Sequence, residues 1–284
     1  MLPADAFMAA AETEATQTEV EKIPLWPGEP PGSDVKDDFR PWIEPYLVDA
    51  EKARGAVLVC PGGGYGGRAD HEAAPIAQRF NKGGLNAFVV HYRVAPHRHP
   101  APLYDAARAV RLVRSRAEEW NVLSDHIAIL GFSAGGHLVG SLATHFGDAT
   151  PPKKDEIDAL SARPDAVVMC YPVVSSGELG HRGSFNNLLG ADASPEMLEY
   201  MSLEKQVTKD TPPIFLWHTA TDEGVPVENS LMMAQALRNA RVPFELHVYP
   251  EGQHGLGLAP DSPHVATWTE LCLQWLYTMG WYQR

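Results

Sequence analysis

Six short apolar runs, at residues 56–60, 87–91, 127–130, 166–170, 214–217 and 244–249, alternate with segments whose apolar residues recur at helical spacing. An unbroken apolar run of this length is what a strand shows when both faces of its sheet are covered. Alternation with helices is the signature of βαβ units. The helical segments fall near 71–80, 105–120, 137–146 and 226–240; in the second, Ala106, Val110, Val113 and Ala117 mark one face, and Asp105 reads as its N-cap. A last helix near 265–279 carries Val265, Trp268, Cys272, Trp275 and Met279 in one stripe, which suits core packing better than a ligand platform. The expected fold class is α/β, a mainly parallel central sheet with helices on both faces.

Three stretches fall outside this rhythm. Residues 1–20 are rich in Ala, Thr and Glu and hold no Lys or Arg. They lack the basic start and sustained apolar run of a secretory signal and read as a mobile extension on a single domain spanning 21–284. A mature secreted chain would look the same. Residues 24–45, rich in Pro and Gly, read as an extended wrapping segment. Residues 173–213 are polar and only partly helical, and so long a connection inside a compact domain is usually functional. They are expected to form an insertion over the strand ends, a partial lid.

Composition narrows the partners. A net charge of −13 and a pI near 5.3 argue against nucleic acid and anionic membrane surfaces, both of which need Lys/Arg patches. No apolar run approaches the ~20 residues of a membrane-spanning helix. Three cysteines give no disulfide framework and suit a reducing, cytoplasmic compartment. Cys60 and Cys170, at strand ends, read as small buried hydrophobes. No metal site is expected: His97-x-His99 lacks a third ligand and reads as an exposed loop between prolines. No cofactor is expected either. The glycine-rich loop 60–67 lacks G-x-G-x-x-G spacing at a helix start, and no P-loop Lys follows it. A second copy of the chain is a compatible partner.

The chemistry centres on Gly131-Phe132-Ser133-Ala134-Gly135, a G-x-S-x-G placed between an expected strand and an expected helix. Such a turn exposes the serine oxygen and directs the Ala134 N–H, at a helix N-terminus, toward developing negative charge. A serine hydroxyl needs a base beside it. With twelve histidines in the chain, position must decide. The run 214–217 leads into a loop with neighbouring acids, Asp222 and Glu223, and ends at His218, which reads as packed. The run 244–249 leads into His254-Gly255, which outranks His247 inside a strand and His264 at the start of the last helix. The loop after 56–60, Pro61-Gly62-Gly63-Gly64-Tyr65, lets backbone N–H groups approach a ligand without Cβ obstruction. Tyr65, Tyr171 and Trp217 could line a substrate pocket or belong to the core.

Taken together, Pro61-Gly-Gly-Gly-Tyr65, Tyr92-Arg-Val-Ala-Pro96, Gly131-Phe-Ser-Ala-Gly-Gly136, His218-Thr-x-x-Asp222-x-x-Val-Pro226 and Gly252-x-His-Gly-x-Gly257 resemble the α/β-hydrolase esterases near the hormone-sensitive-lipase-like group. The likeness is strongest to bacterial acetyl-esterase and acetyl-xylan-esterase-like proteins and covers roughly residues 50–280. The resemblance implies an α/β-hydrolase fold with Ser133 as nucleophile, Asp222 as acid and His254 as base. It implies Gly63, Gly64 and Ala134 as oxyanion-binding N–H donors. Pro61 stands where the lipase-like pattern has His, which favours the carbohydrate-esterase branch. The implied activity is hydrolysis of short-chain, chiefly acetyl, esters of small molecules, some of them on sugar hydroxyls. The rivals are a serine peptidase or amidase of the same fold and an inactive binding protein.

Overall fold

A computed structural model describes residues 21–152 and 154–282; the expected extension at 1–20 lies outside the described residues. Eight strands form one sheet: β1 (Ile23–Pro24), β2 (Trp42–Tyr46), β3 (Arg54–Cys60), β4 (Asn86–His91), β5 (Val122–Phe132), β6 (Ala166–Cys170), β7 (Ile214–Thr219) and β8 (Phe244–Tyr249). Their spatial order is β1-β2-β4-β3-β5-β6-β7-β8. β1 and β2 pair antiparallel with their neighbours, and the remaining pairs are parallel. The six apolar runs are the six parallel strands. β1 and β2 lie within the segment expected only to wrap. β1 pairs solely with Trp42 and Ile43, so Pro45 sits where β2 has no outer neighbour and its missing N–H costs the sheet nothing.

The helices are α1 (Ala74–Lys82), α2 (Ala101–Ser115), α3 (Ala134–His145), α4 (Arg182–Leu189), α5 (Pro195–Tyr200), α6 (Glu228–Ala240), α7 (Pro263–Ala266) and α8 (Trp268–Thr278). Alternate residues of β3 sort the layers, as a period of two requires. Val57 and Val59 join Ile76 and Phe80 of α1 and Trp268 and Cys272 of α8 in one core. Ala56, Leu58 and Cys60 join Val110 of α2, Leu138 of α3 and Leu237 of α6 in the other. The Trp268–Cys272 stripe is therefore core, although its helix breaks at Thr267 into α7 and α8.

The expected N-cap at Asp105 is a correction. Two prolines, Pro100 and Pro102, start α2 a turn earlier, so Asp105 lies inside the helix and is fully buried. Its carboxylate accepts from Arg93 Nε and Nη2 at 2.8 Å each, from the Arg93 backbone N–H at 2.9 Å and from Trp26 Nε1 at 2.9 Å. Arg93 also donates to Pro31 O at 2.8 Å. This pair fastens the wrapping segment to α2.

The pairings Cys60↔Gly131, Phe132↔Cys170 and Thr219↔Tyr249 bring the loops after β3, β5, β6, β7 and β8 to one rim. The chain turns back between β3 and β5, and the crevice at such a reversal is where open α/β sheets bind ligands. Among the described residues, no helix is long and apolar enough to cross a membrane.

Candidate active site

Ser133 is the single residue between the end of β5 and the start of α3, held at φ 54° and ψ −117°. A side chain at that φ costs about 1–3 kcal/mol, and the surroundings fix it there. Its N–H donates to Cys170 O at 3.0 Å, and its carbonyl accepts from His137 N at 3.0 Å and Val173 N at 3.1 Å. The turn also needs a residue without a side chain at 135, where a Cβ would lie 2.3 Å from Cys60 O and 2.5 Å from Pro61 O. That contact packs the first turn of α3 against the glycine loop.

Ser133 Oγ lies 2.8 Å from His254 Nε2, and His254 Nδ1 lies 2.7 Å from Asp222 Oδ2. The carboxylate can only accept, so Nδ1 carries the imidazole proton and Nε2 is left to accept from the serine hydroxyl. Asp222 Oδ1 accepts from the N–H groups of Gly224 and Val225, both at 2.9 Å. His218 accepts from Ser230 Oγ at Nδ1 (2.8 Å) and donates from Nε2 to Val225 O (2.9 Å), with Asp222 Oδ2 at 3.4 Å. Burial pushes the Asp222 carboxyl upward, but hydrogen bonds from His218, His254 and the Val225 N–H outweigh it and hold the group well below the usual range. Asp222 is thus a fixed negative charge behind the imidazole. Glu223, its neighbour in sequence, is exposed.

Around the serine, Gly62 N donates to Glu72 Oε2 at 2.7 Å. Among the described residues, no acceptor takes the N–H groups of Gly63, Gly64 or Ala134. Gly63 adopts φ 126°, and its carbonyl accepts from Gly66 N and Gly67 N, which closes the loop into a tight turn. Unspent N–H donors beside an activated serine suit an anion formed on a bound carbonyl.

Comparison with known proteins matches residues 46–237 of the chain to a family model, BD-FAE. The chain belongs to the BD-FAE family. Endo-1,4-β-xylanase B of Butyrivibrio fibrisolvens is 43% identical over 79% of this chain and 36% of its own length. Acetylxylan esterase of Xylanibacter ruminicola is 31% identical over 87% of this chain and 48% of its own. The chain therefore spans less than half of each of these relatives. The solved structure of an acetyl ester-xyloside bifunctional hydrolase from Caldicellulosiruptor lactoaceticus superposes with a TM-score of 0.88 at 45% identity, covering 93% of this chain and 97% of that one. The BD-FAE chain has the α/β-hydrolase fold.

Most other residues singled out in this BD-FAE sequence are buried. Tyr65, Tyr171 and Trp217 are each 1% exposed or less, so they are core groups and not an open pocket wall. Their bulk is spent on packing: Trp217 stacks on Trp268, Tyr65 Oη bonds His137 Nδ1 at 2.9 Å, and the Tyr171 ring meets the His254 ring at 5.1 Å. His97 is buried rather than exposed, bonded to Ser33 Oγ at 2.8 Å and Asp37 Oδ2 at 3.0 Å. No group of three or more metal-ligating side chains forms among the described residues. Cys60, Cys170 and Cys272 are buried free thiols whose pKa burial drives upward.

Two residues of the BD-FAE site escaped the sequence reading. Glu72 is 2% exposed, in a 3-10 turn (Asp70–Glu72) just after the glycine loop. His181 caps α4 by accepting from Ser184 N and Ser184 Oγ at Nδ1, and its Cε1 lies 4.0 Å from where a Gly64 Cβ would be. Asn187 Nδ2 donates to Gly64 O at 2.9 Å, so the 173–213 segment is tied directly to the glycine loop. Neither position carries a spacing signal. Only an acid following a glycine loop, and a histidine opening a helix, could have hinted at them.

Proposed function

We propose that this chain is a serine carboxylesterase that removes short acyl groups, chiefly acetyl, from carbohydrate hydroxyls such as those of xylo-oligosaccharides. The observation that carries this reading is the continuous Ser133–His254–Asp222 hydrogen-bonded relay beside three unspent N–H groups. In this scheme His254 Nε2 takes the Ser133 proton as Oγ attacks the ester carbonyl. Asp222 holds the imidazole in the required tautomer and stabilises its charge. The N–H groups of Gly63, Gly64 and Ala134 bind the tetrahedral oxyanion. His254 then protonates the leaving alcohol, and water hydrolyses the acyl-enzyme with His254 again as base. Residues 173–213 act as a partial lid on a single catalytic domain, tethered to the glycine loop at Asn187–Gly64. The sugar assignment leans on the relatives, whose names are those of a xylanase, an acetylxylan esterase and an acetyl ester-xyloside hydrolase.

Ser133→Ala should lower kcat on p-nitrophenyl acetate on the order of 10⁴ to 10⁶. Near wild-type turnover would sink the assignment. A panel of acetylated xylo-oligosaccharides, longer p-nitrophenyl esters and aminoacyl amides should give its highest kcat/KM on the acetylated sugars. A preference for the amides would turn the reading to a peptidase.

A further inference from the structure

Glu72 takes no part in the scheme above, yet it is a buried carboxylate within the same rim. Removing an ion of this kind from water costs several kcal/mol unless the site compensates it. Among the described residues, no Lys or Arg lies within ion-pair distance; the only such neighbour is His71, whose Nε2 is 3.7 Å away. Compensation comes instead from neutral donors. Oε2 accepts from Gly62 N at 2.7 Å, and Oε1 accepts from Tyr171 Oη at 2.5 Å. Tyr171 Oη accepts in turn from Gly257 N at 2.9 Å, on the loop that carries His254. His71, next to Glu72, donates from Nε2 to Gly255 O at 2.9 Å. The two carboxylate oxygens thus join three segments that are far apart in sequence: the glycine loop, the end of β6 and the histidine loop.

The contact with Gly62 places this clamp close to the reacting atoms. A Cβ on Gly62 would fall 2.7 Å from Glu72 Oε2 and 3.1 Å from Ser133 Cβ, so the glycine backbone is sandwiched between the acid and the serine. With Gly62 N committed to Glu72, the next peptide units, Gly63 and Gly64, are the ones left with unpaired N–H groups.

We propose that Glu72 is a positioning residue for the oxyanion loop, its carboxylate pinning Gly62 to the Tyr171–Gly257 side of the site so that the Gly63 and Gly64 N–H groups face the carbonyl attacked by Ser133. The proposal rests on the esterase reading given above. A carboxylate is required because two donors converge on it, one on each oxygen. An amide offers one acceptor and an aliphatic side chain none. Loop N–H groups displaced by about 1 Å cost on the order of 10² in rate, and loss of an oxyanion donor costs about 10² to 10³. Such a loss falls on the transition state and leaves ground-state binding of a small ester nearly untouched.

The test compares Glu72→Leu, Glu72→Gln and Ser133→Ala on p-nitrophenyl acetate, with folding followed by circular dichroism. Glu72→Leu should lower kcat about 100-fold or more, with KM within threefold of wild type and a parallel fall in the rate of fluorophosphonate labelling. Glu72→Gln should lie between Leu and wild type, at a loss of about tenfold. It carries the test alone if the Leu variant does not fold. Folded variants with kcat and labelling rate within threefold of wild type would overturn the proposal, as would a loss matching only the unfolded fraction. If those variants are active while Ser133→Ala is inert, only the role of Glu72 falls. If Ser133→Ala is itself active, the esterase reading falls first.

Discussion

Acidic side chains are buried or half-buried both along α2 and on the rim that holds Ser133, and the two regions compensate them differently. Along α2, acids meet guanidinium groups: Asp105 is bound by Arg93, Asp158 lies 3.1 Å from Arg108 and 4.0 Å from Arg111, and Asp165 is bound by Arg114. On the rim that holds Ser133, Asp222 and Glu72 meet imidazoles, a phenol and backbone N–H groups, with no Arg or Lys in bonding contact among the described residues. A guanidinium stays charged at every accessible pH, so it cancels the carboxylate permanently. N–H groups and imidazoles instead solvate the charge without cancelling it. The first arrangement fastens the wrapping segment and the α2 layer. In the esterase reading proposed above, the second leaves negative charge available for an imidazolium formed only during reaction.

The contrast is sharpest when one acid is made neutral in each region. Asp222→Asn offers an amide where His254 Nδ1–H needs an acceptor, which favours the wrong tautomer. A kcat loss on the order of 10⁴ is expected with the fold retained, read by p-nitrophenyl acetate kinetics beside circular dichroism. A loss under tenfold would mean Asp222 is no more than a structural acid. Asp105→Asn should do the opposite. It leaves Arg93 buried without a counter-charge and should cost about 3–5 kcal/mol in urea unfolding, with kcat of the folded fraction near wild type. If its kcat fell further than its stability explains, the two regions would not be separable.

Acid provides the smallest but most graded probe. Burial pushes His99 and His137 down to about 4 and lowers His145 as well. These rings sit under the 173–213 segment: His137 Nε2 donates to Met201 O, His145 Nε2 to Tyr200 O, and His99 meets the Tyr200 ring. A depressed histidine contributes stability that is complete above its unfolded value of 6.5 and lost as pH falls toward 4, at up to about 1.4 kcal/mol per pH unit for each group. On the α2 side, the hydrogen bond from Arg108 holds Asp155 at about 2, so its contribution begins to fade only below 3.8. Hydrogen-exchange protection in α4 and α5, taken relative to intrinsic exchange at each pH, should therefore fall between pH 6.5 and 4 while that of α2 is retained. Simultaneous loss in both would erase the distinction.

Legibility of the sequence followed the same divide. The six parallel strands are readable because burial on both faces leaves an unbroken apolar run, whereas β1 and β2, with Pro24, Glu44 and Pro45, carry no such mark. Ser133 and His254 could be named because each follows a strand and sits in a short motif, whereas Asp222 is separated from Glu223 only by the family resemblance; in the fold the three meet. Asp105 misled, since an acid near the start of an apolar pattern reads as a cap when its real partner, Arg93, is contributed by a different element. Glu72 was invisible for the same reason. Its partners at Gly62, and across the fold at Tyr171, are set by tertiary folding, and local spacing cannot reveal them.

The left-handed backbone at residue 133 bears on what kind of history the fold has had. Glycine would occupy φ 54°, ψ −117° with ease, and a lineage kept only as a scaffold would have every thermodynamic reason to drift to it. A hydroxyl maintained in that conformation is a standing handicap to folding, tolerable where the oxygen itself is under selection. On the esterase reading, this strained residue is also the nucleophile.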